Sequence, residues 1–299
     1  MGSPSGVEQR MPSTRKMGIL GAKCSHTHLA FINSFKVEEY ELEFFESERR
    51  TPPHNVFERL IRSVSGIDGA KVDCALIPCH NSSEKHFFDE MSSLIIKDGV
   101  YVVDIVKKYI KHSLLANHNV EHFSEIKKII SNRHCFLQSG DWLTKNLLDV
   151  EREIVSSSSE AAKIVQQESD KKCAVIGTSE SAAEYSLKVL VESIEKPNNY
   201  TSFFVISHKE RNFLGNPYLL YAIPVASQEQ KTRIEEKVRE YLFETYASWY
   251  SPEIGRYFFE LFVGQDEKKV NSFEFLMAEE FKGFKRIGRL NKNIGAYTL

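Results

Sequence analysis

Pro197-Asn198-Asn199-Tyr200-Thr201-Ser202-Phe203-Phe204-Val205-Ile206-Ser207 joins a polar turn directly to an apolar run. Proline and paired asparagines favour a turn, and the unbroken run Phe203 to Ile206 fits a strand covered on both faces, as strands of α/β sheets are. The hydroxyls of Thr201 and Ser202 then stand at the mouth of that strand, where ligands collect in open α/β sheets. On this segment alone, capping of the turn is the simpler explanation of both.

Working outward, the same grammar repeats. Met17-Gly18-Ile19-Leu20-Gly21 ends in Gly21-Ala22-Lys23-Cys24-Ser25-His26, after which Leu29, Ala30, Ile32 and Phe35 recur at helical spacing. This reads as strand, glycine turn and helix, an arrangement that aims backbone N–H groups at an anion, or else an ordinary tight connection. Strands are expected at 41–45, 72–78, 101–106 and 112–116, with a helix at 56–64. Cys79-His80-Asn81-Ser82-Ser83-Glu84 follows Pro78 as a second polar cluster at a strand end. Further on, helices are expected at 122–130, 155–165 and 179–191, and a strand at 173–177. Alternating units of this kind argue for mainly parallel sheets with helices on both faces.

Composition bounds the function. The chain has 299 residues, 41% hydrophobic and 11% aromatic, which fits a globular α/β protein of one large or two ordinary domains. A net charge of −2 gives no electrostatic case for nucleic acid or an anionic membrane. No apolar run approaches the ~20 residues that span a bilayer, and Met1 to Lys16 lacks the apolar core of a secretory signal. That segment reads as a flexible leader, and the cytoplasm is the expected location. Cys24, Cys74, Cys79, Cys135 and Cys173 are odd in number and have no paired short spacing, so free thiols are expected. His26-Thr27-His28 and His118 to His122 lack companion ligands, so neither a metal nor another cofactor is expected.

Order and spacing carry a resemblance. Gly18 to Ser207 resembles the prephenate dehydratase family: Gly18-Ile19-Leu20-Gly21 through Ser25-His26 is similar to its opening glycine turn. Pro78 with Asn81-Ser82 is similar to its Pro-x-Glu-Asn-Ser segment, and His134, Gln138 and Trp142-Leu143 to its His-Pro-x-x-x-x-Gln segment and following helix. Ser158-Ser159-Glu160-Ala161-Ala162, Ala174-Val175-Ile176 with Ala182-Ala183-Glu184-Tyr185-Ser186-Leu187, and Asn199-Tyr200-Thr201-Ser202-Phe203 continue the series in order. The resemblance implies a bilobed domain like the type II periplasmic binding proteins over 17–210, with the site in the cleft. The tail, 216–299, reads as βαββαβ and resembles the ferredoxin-like ACT domain that follows the catalytic part in many members. Pairing of such domains implies a homodimer or a higher homo-oligomer.

For the substrate, prephenate or a similar cyclohexadienyl acid, the resemblance implies that Thr201 donates to the departing hydroxyl. Gly21, Ser25, His26, Asn81 and Ser82 would hold carboxylate oxygens, and Gln138 would fix the ring, with Ser202 and Phe203 beside Thr201. Three departures stand out. The family's arginine after the threonine is Ser202, its glutamate before the asparagine is His80, and its glycine closing that motif is Lys85. A hydroxyl cannot replace a bidentate cation. Lys23, Lys85 and Arg133 are candidates for the missing charge, although each reads individually as a solvated surface group. The family's Glu-Ser-Arg-Pro and Gly-Ala-Leu effector motifs are absent as well. Three readings follow: a dehydratase making phenylpyruvate, a non-aromatising prephenate decarboxylase with His80 as ring proton donor, and a non-catalytic sensor.

Overall fold

The computed structural model describes residues 14–46, 53–66, 71–84, 86–87, 99–168, 172–210, 217–241, 244–251, 255–262 and 266–291. Its first lobe is built on β1 (Arg15–Leu20), β2 (Tyr40–Phe45), β3 (Cys74–Asn81), β5 (Tyr101–Tyr109) and β11 (Tyr200–Ser207), with β4 (His86–Phe87) hydrogen-bonded to β3. β1 runs parallel to both β2 and β3, whereas β11 returns antiparallel between β3 and β5. The Phe203 to Ile206 run is fully buried because it is packed on both faces. Phe203 and Val205 meet Ala30 and Phe31 of α1 (His26–Ser34), while Phe204 and Ile206 meet Phe57 and Leu60 of α2 (Pro53–Ser65).

The second lobe is a sheet in the order β10-β6-β9-β7-β8, comprising β6 (Ser113–Ala116), β7 (Lys128–Ser131), β8 (Glu151–Ile154), β9 (Cys173–Gly177) and β10 (Lys188–Val191). α3 (Arg133–Gln138), α4 (Gly140–Asn146), α5 (Ser158–Gln167) and α6 (Ser179–Glu184) belong to this lobe. The chain passes between lobes at 110–112 and returns at 192–199. These segments lie side by side, with Ile110 N–H donating to the Asn199 carbonyl at 2.9 Å and Ile194 N–H to the His112 carbonyl at 3.0 Å.

The tail is βαββαβ: β12 (Pro217–Pro224), α7 (Gln228–Glu240), β13 (Glu244–Ser251), β14 (Arg256–Phe262), α8 (Glu267–Glu280) and β15 (Lys285–Asn291). Its strand order, β13-β14-β12-β15, is that of a ferredoxin-like unit. Leu219, Tyr221 and Ile223 pack on Ile234, Val238, Phe273 and Met277 of its two helices. The other face contributes Leu220, Ala222, Ile287 and Leu290 to the core under α2. The edge strand β15 joins the first lobe through Gly288, which pairs with Val102 of β5. A Cβ at Gly288 would run into the Val102 carbonyl, so only glycine permits this approach.

Two expected helices are corrected. The 122–130 segment forms one 3-10 turn, Phe123–Glu125, and then strand β7. Ile126, Ile129 and Ile130 do recur at helical spacing, but pairing with β8 and β9 captures the backbone of Lys128–Ser131. The 179–191 helix stops at Glu184, where Ser186 takes a left-handed φ of 52° and Leu187 N–H closes on the Ala182 carbonyl at 2.8 Å. Lys188–Val191 then pairs with β6. Strand β1 begins at Arg15, so Arg15 and Lys16 are not leader; residues 1–13 lie outside the described residues. Among the described residues no helix is long and apolar enough to cross a membrane, and no cluster of His, Cys, Asp or Glu could hold a metal ion.

Candidate active site

At the lobe junction, four buried side chains from distant parts of the sequence form one hydrogen-bonded chain. It starts at Glu84, in the turn after β3, whose side chain is only 4% exposed. A carboxylate can only accept, and Gln138 Nε2 donates to Glu84 Oε1 at 2.7 Å while His134 Nδ1 meets Oε2 at 2.7 Å. That fixes the Gln138 amide with its oxygen inward, where it accepts from Asn199 Nδ2 at 2.9 Å. Asn199 Oδ1 in turn accepts from Asn81 Nδ2 at 2.8 Å and Ser83 Oγ at 3.0 Å. The Asn81 amide is fixed a second time, because its oxygen accepts from the Ser83 and Glu84 N–H groups at 2.9 and 3.1 Å.

Asn81 Nδ2 also donates to Thr201 Oγ1 at 3.0 Å. Thr201 is 5% exposed and sits opposite Asn81 in the β3–β11 register. Its oxygen is therefore an acceptor, and among the described residues its hydrogen has no acceptor. The chain of amides thus orients the hydroxyl as a donor.

Two histidines close the other side. His112, 1% exposed in the inter-lobe connection, places Nε2 at 2.8 Å from Gln138 Oε1, so Nε2 carries the hydrogen. Its Nδ1 faces His26 Nε2 at 3.4 Å, with ring centroids 5.0 Å apart. His26 Nδ1 is left as a bare acceptor, sealed from solvent and, among the described residues, without a partner. Burial holds both rings below the usual histidine range, His26 farthest, so both are neutral at pH 7.

The structure brings together His26, Asn81, Gln138 and Thr201. Ser82 serves the turn itself, donating to the Asn198 carbonyl and accepting from Tyr200 N–H, both at 2.9 Å. Ser25 is the N-cap of α1, accepting from His28 N–H at 3.3 Å. Gly21, with φ of 105°, turns the chain after β1 and donates to the Phe45 carbonyl at 2.8 Å. Phe203 is core beneath α1. His80 and Ser202 are paired with each other, one residue from Asn81 and Thr201, so alternation puts them on the opposite face of the sheet. There His80 neighbours the Tyr200 ring at 6.5 Å between centroids. Of the candidate cations, Lys23 pairs with Glu184 at 2.9 Å, Arg133 is exposed at the start of α3, and Lys85 lies outside the described residues.

The lobes are tied together around this site. Thr178 Oγ1 donates to the Cys24 carbonyl at 2.9 Å, and the Lys23–Glu184 pair and the contacts of Glu84 with α3 cross the same gap. Sequence reasoning missed Glu84 and His112, and gave Asn199 no role. Glu84 had one local signal, a carboxylate three residues after an asparagine in a polar turn.

The prephenate dehydratase family model matches residues 17–211. A bifunctional chorismate mutase/prephenate dehydratase of Neisseria gonorrhoeae is 31% identical over 151 residues, covering 50% of this chain and 41% of its own. The prephenate dehydratase of Methanocaldococcus jannaschii is 26% identical over 204 residues, covering 68% and 66%. The chain thus spans between about two fifths and two thirds of the length of these relatives. The crystal structure of Arthrobacter aurescens prephenate dehydratase in complex with L-Phe superposes with a TM-score of 0.71 at 18% identity, over 94% of this chain and 91% of that one.

Proposed function

The chain belongs to the prephenate dehydratase family, and from that premise we propose that it converts prephenate to phenylpyruvate, as a lyase of aromatic amino acid synthesis. The reaction needs little covalent help. The bond from ring to carboxylate breaks to release carbon dioxide, and its electron pair enters the ring. The C–O bond opposite breaks, and the departing hydroxide takes up a proton to leave as water. Aromatisation supplies the driving force, so the protein has only to orient the substrate and stabilise charge on the leaving oxygen. The observation that carries this reading is the Thr201 hydroxyl, fixed as a donor by Asn81 at the mouth of the cleft. Threonine is too weak an acid to give up its proton outright, and its contribution is a preorganised hydrogen bond.

A non-aromatising decarboxylase would instead need a proton donor for the ring. His80 faces away from Thr201, and both cleft histidines are held neutral, which favours the dehydratase. None of the five cysteines forms a disulfide, which fits the cytoplasm as the working compartment. The βαββαβ tail is read as an ACT-like unit through which two chains pair.

The test is to incubate the purified protein with prephenate and identify the product by absorbance and mass spectrometry. Phenylpyruvate is expected, with Thr201→Val losing about 100-fold or more in kcat, the scale for one transition-state donor, and Thr201→Ser retaining activity. A decarboxylated product that keeps its hydroxyl would establish the other chemistry, and binding without turnover would leave a sensor. His80→Ala should leave both product and rate within a few-fold of the parent.

A further inference from the structure

Strand β5 is apolar as far as Val106 except for the buried Asp104, and it then carries two lysines, which the pleat sends to opposite faces. Lys107 pairs in register with Ser202, and its Nζ lies 3.7 Å from the Tyr200 ring centroid, so its charge is spent on that ring. Lys108 pairs in register with Thr201, so its stem leaves the sheet on the Thr201 side. Its Nζ donates to the Tyr109 carbonyl at 3.1 Å, and among the described residues it forms no ion pair with a carboxylate.

The surroundings of this ammonium are shared with the site. Burial pushes its pKa below the ordinary lysine value; Glu180, on α6 of the other lobe, opposes that shift and Lys111 adds to it. Its charge in turn helps to hold His26 and His112 neutral. Lys108 therefore faces the gap between the lobes, beside two rings that carry no compensating charge. A half-buried ammonium without a counter-ion is costly to keep, and an arriving anion removes that cost.

We propose that the Lys108 ammonium anchors a carboxylate of the ligand in the inter-lobe cleft, with the Thr201 hydroxyl addressing the rest of the same molecule. The inference rests on the function proposed above and assigns Lys108 the carboxylate that the product retains. Pairing a cation with the carboxylate that must leave as carbon dioxide would stabilise the ground state and resist the reaction. A contact held equally in ground and transition state acts on binding, so it appears in KM and leaves kcat nearly unchanged.

The experiment compares wild type with Lys108→Met and Lys108→Arg, by calorimetric Kd for prephenate and by steady-state kinetics. Lys108→Met removes a charge that has no carboxylate partner among the described residues and should fold at least as well as the parent. It should weaken Kd and raise KM by about 10- to 100-fold, the scale of a charge-assisted hydrogen bond, with kcat within about threefold. Lys108→Arg should recover most of the affinity. Equal Kd for wild type and Lys108→Met overturns the inference while leaving the dehydratase reading intact. A second readout does not need turnover. After 13C reductive methylation, the Lys108 resonance, assigned by its absence from Lys108→Arg, should move on adding malonate to the wild type. Movement with malonate but no turnover of prephenate would keep the carboxylate anchor and sink the dehydratase reading. A resonance that responds to neither malonate nor prephenate overturns the anchor itself.

Discussion

Asn81→Asp reverses the polarity of the site at constant shape. In the parent, Asn81 Nδ2 faces three oxygens: Asn199 Oδ1 at 2.8 Å, Thr201 Oγ1 at 3.0 Å and the Tyr200 carbonyl at 3.2 Å. An oxygen in its place loses two hydrogen bonds, about 1 kcal/mol each. Two of those oxygens keep other donors, Ser83 Oγ for Asn199 and Ser82 N–H for Tyr200, so no acceptor there is orphaned. Among the described residues the Thr201 hydroxyl has no such partner, and it will turn to donate into the new carboxyl group. It is then lost to the ligand, and kcat should fall about 100- to 1,000-fold, as when a preorganised donor is removed. Stability should show the same reversal. Position 81 is 0% exposed and the new oxygen faces three others. Burial and repulsion will therefore raise the folded pKa of the carboxyl group above its unfolded value of about 3.9, against the two N–H groups that Oδ1 keeps. With the folded pKa raised, the penalty is absent below the unfolded value. It grows by about 1.4 kcal/mol per pH unit above it, until the folded pKa is reached. Urea denaturation of variant and parent at pH 5, 6, 7 and 8 measures the difference, and prephenate turnover measures the rate. A pH-independent stability difference, or a kcat within threefold of the parent, would refute the orientation of Thr201 by Asn81.

The neutral histidines predict an acid limit. Because burial lowers the folded pKa values of His26 and His112 from 6.5, the unfolded chain binds protons first as pH falls. Each ring should remove stability as the pH falls below about 6.5, at no more than about 1.4 kcal/mol per pH unit and down to its own folded pKa, with His26 contributing the more. Thermal melts should show that loss, and His26→Gln should reduce it. Glu84→Leu leaves Gln138 Nε2 buried without an acceptor and frees the amide chain to turn. It should cost about 2 kcal/mol in denaturant titration and lower kcat more than it raises KM. Gly288→Ala drives a Cβ into the Val102 carbonyl and should cost about 1–3 kcal/mol. Because that contact joins the tail to the first lobe, the variant should unfold in two steps by calorimetry where the parent unfolds in one.

Much of the fold is written locally. The buried run Phe203 to Ile206, the glycine turn after Leu20 and the βαββαβ order of the tail follow from residue type and short-range pattern, whereas Thr201, Asn81 and Gln138 are singled out through the family resemblance. Tertiary structure decided three other matters. It turned 128–131 and 188–191 from helix to strand, because pairing with neighbouring strands outweighs an ambiguous apolar period. It placed His80 and Ser202 across the sheet from Asn81 and Thr201, because adjacent strand residues point to opposite faces. It also gathered Glu84, His112, Asn199 and Lys108 around Thr201. A hydrogen-bond partner 118 positions away, as Asn199 is from Asn81, leaves no mark on either local sequence, since each satisfies the other only after both backbones are in place.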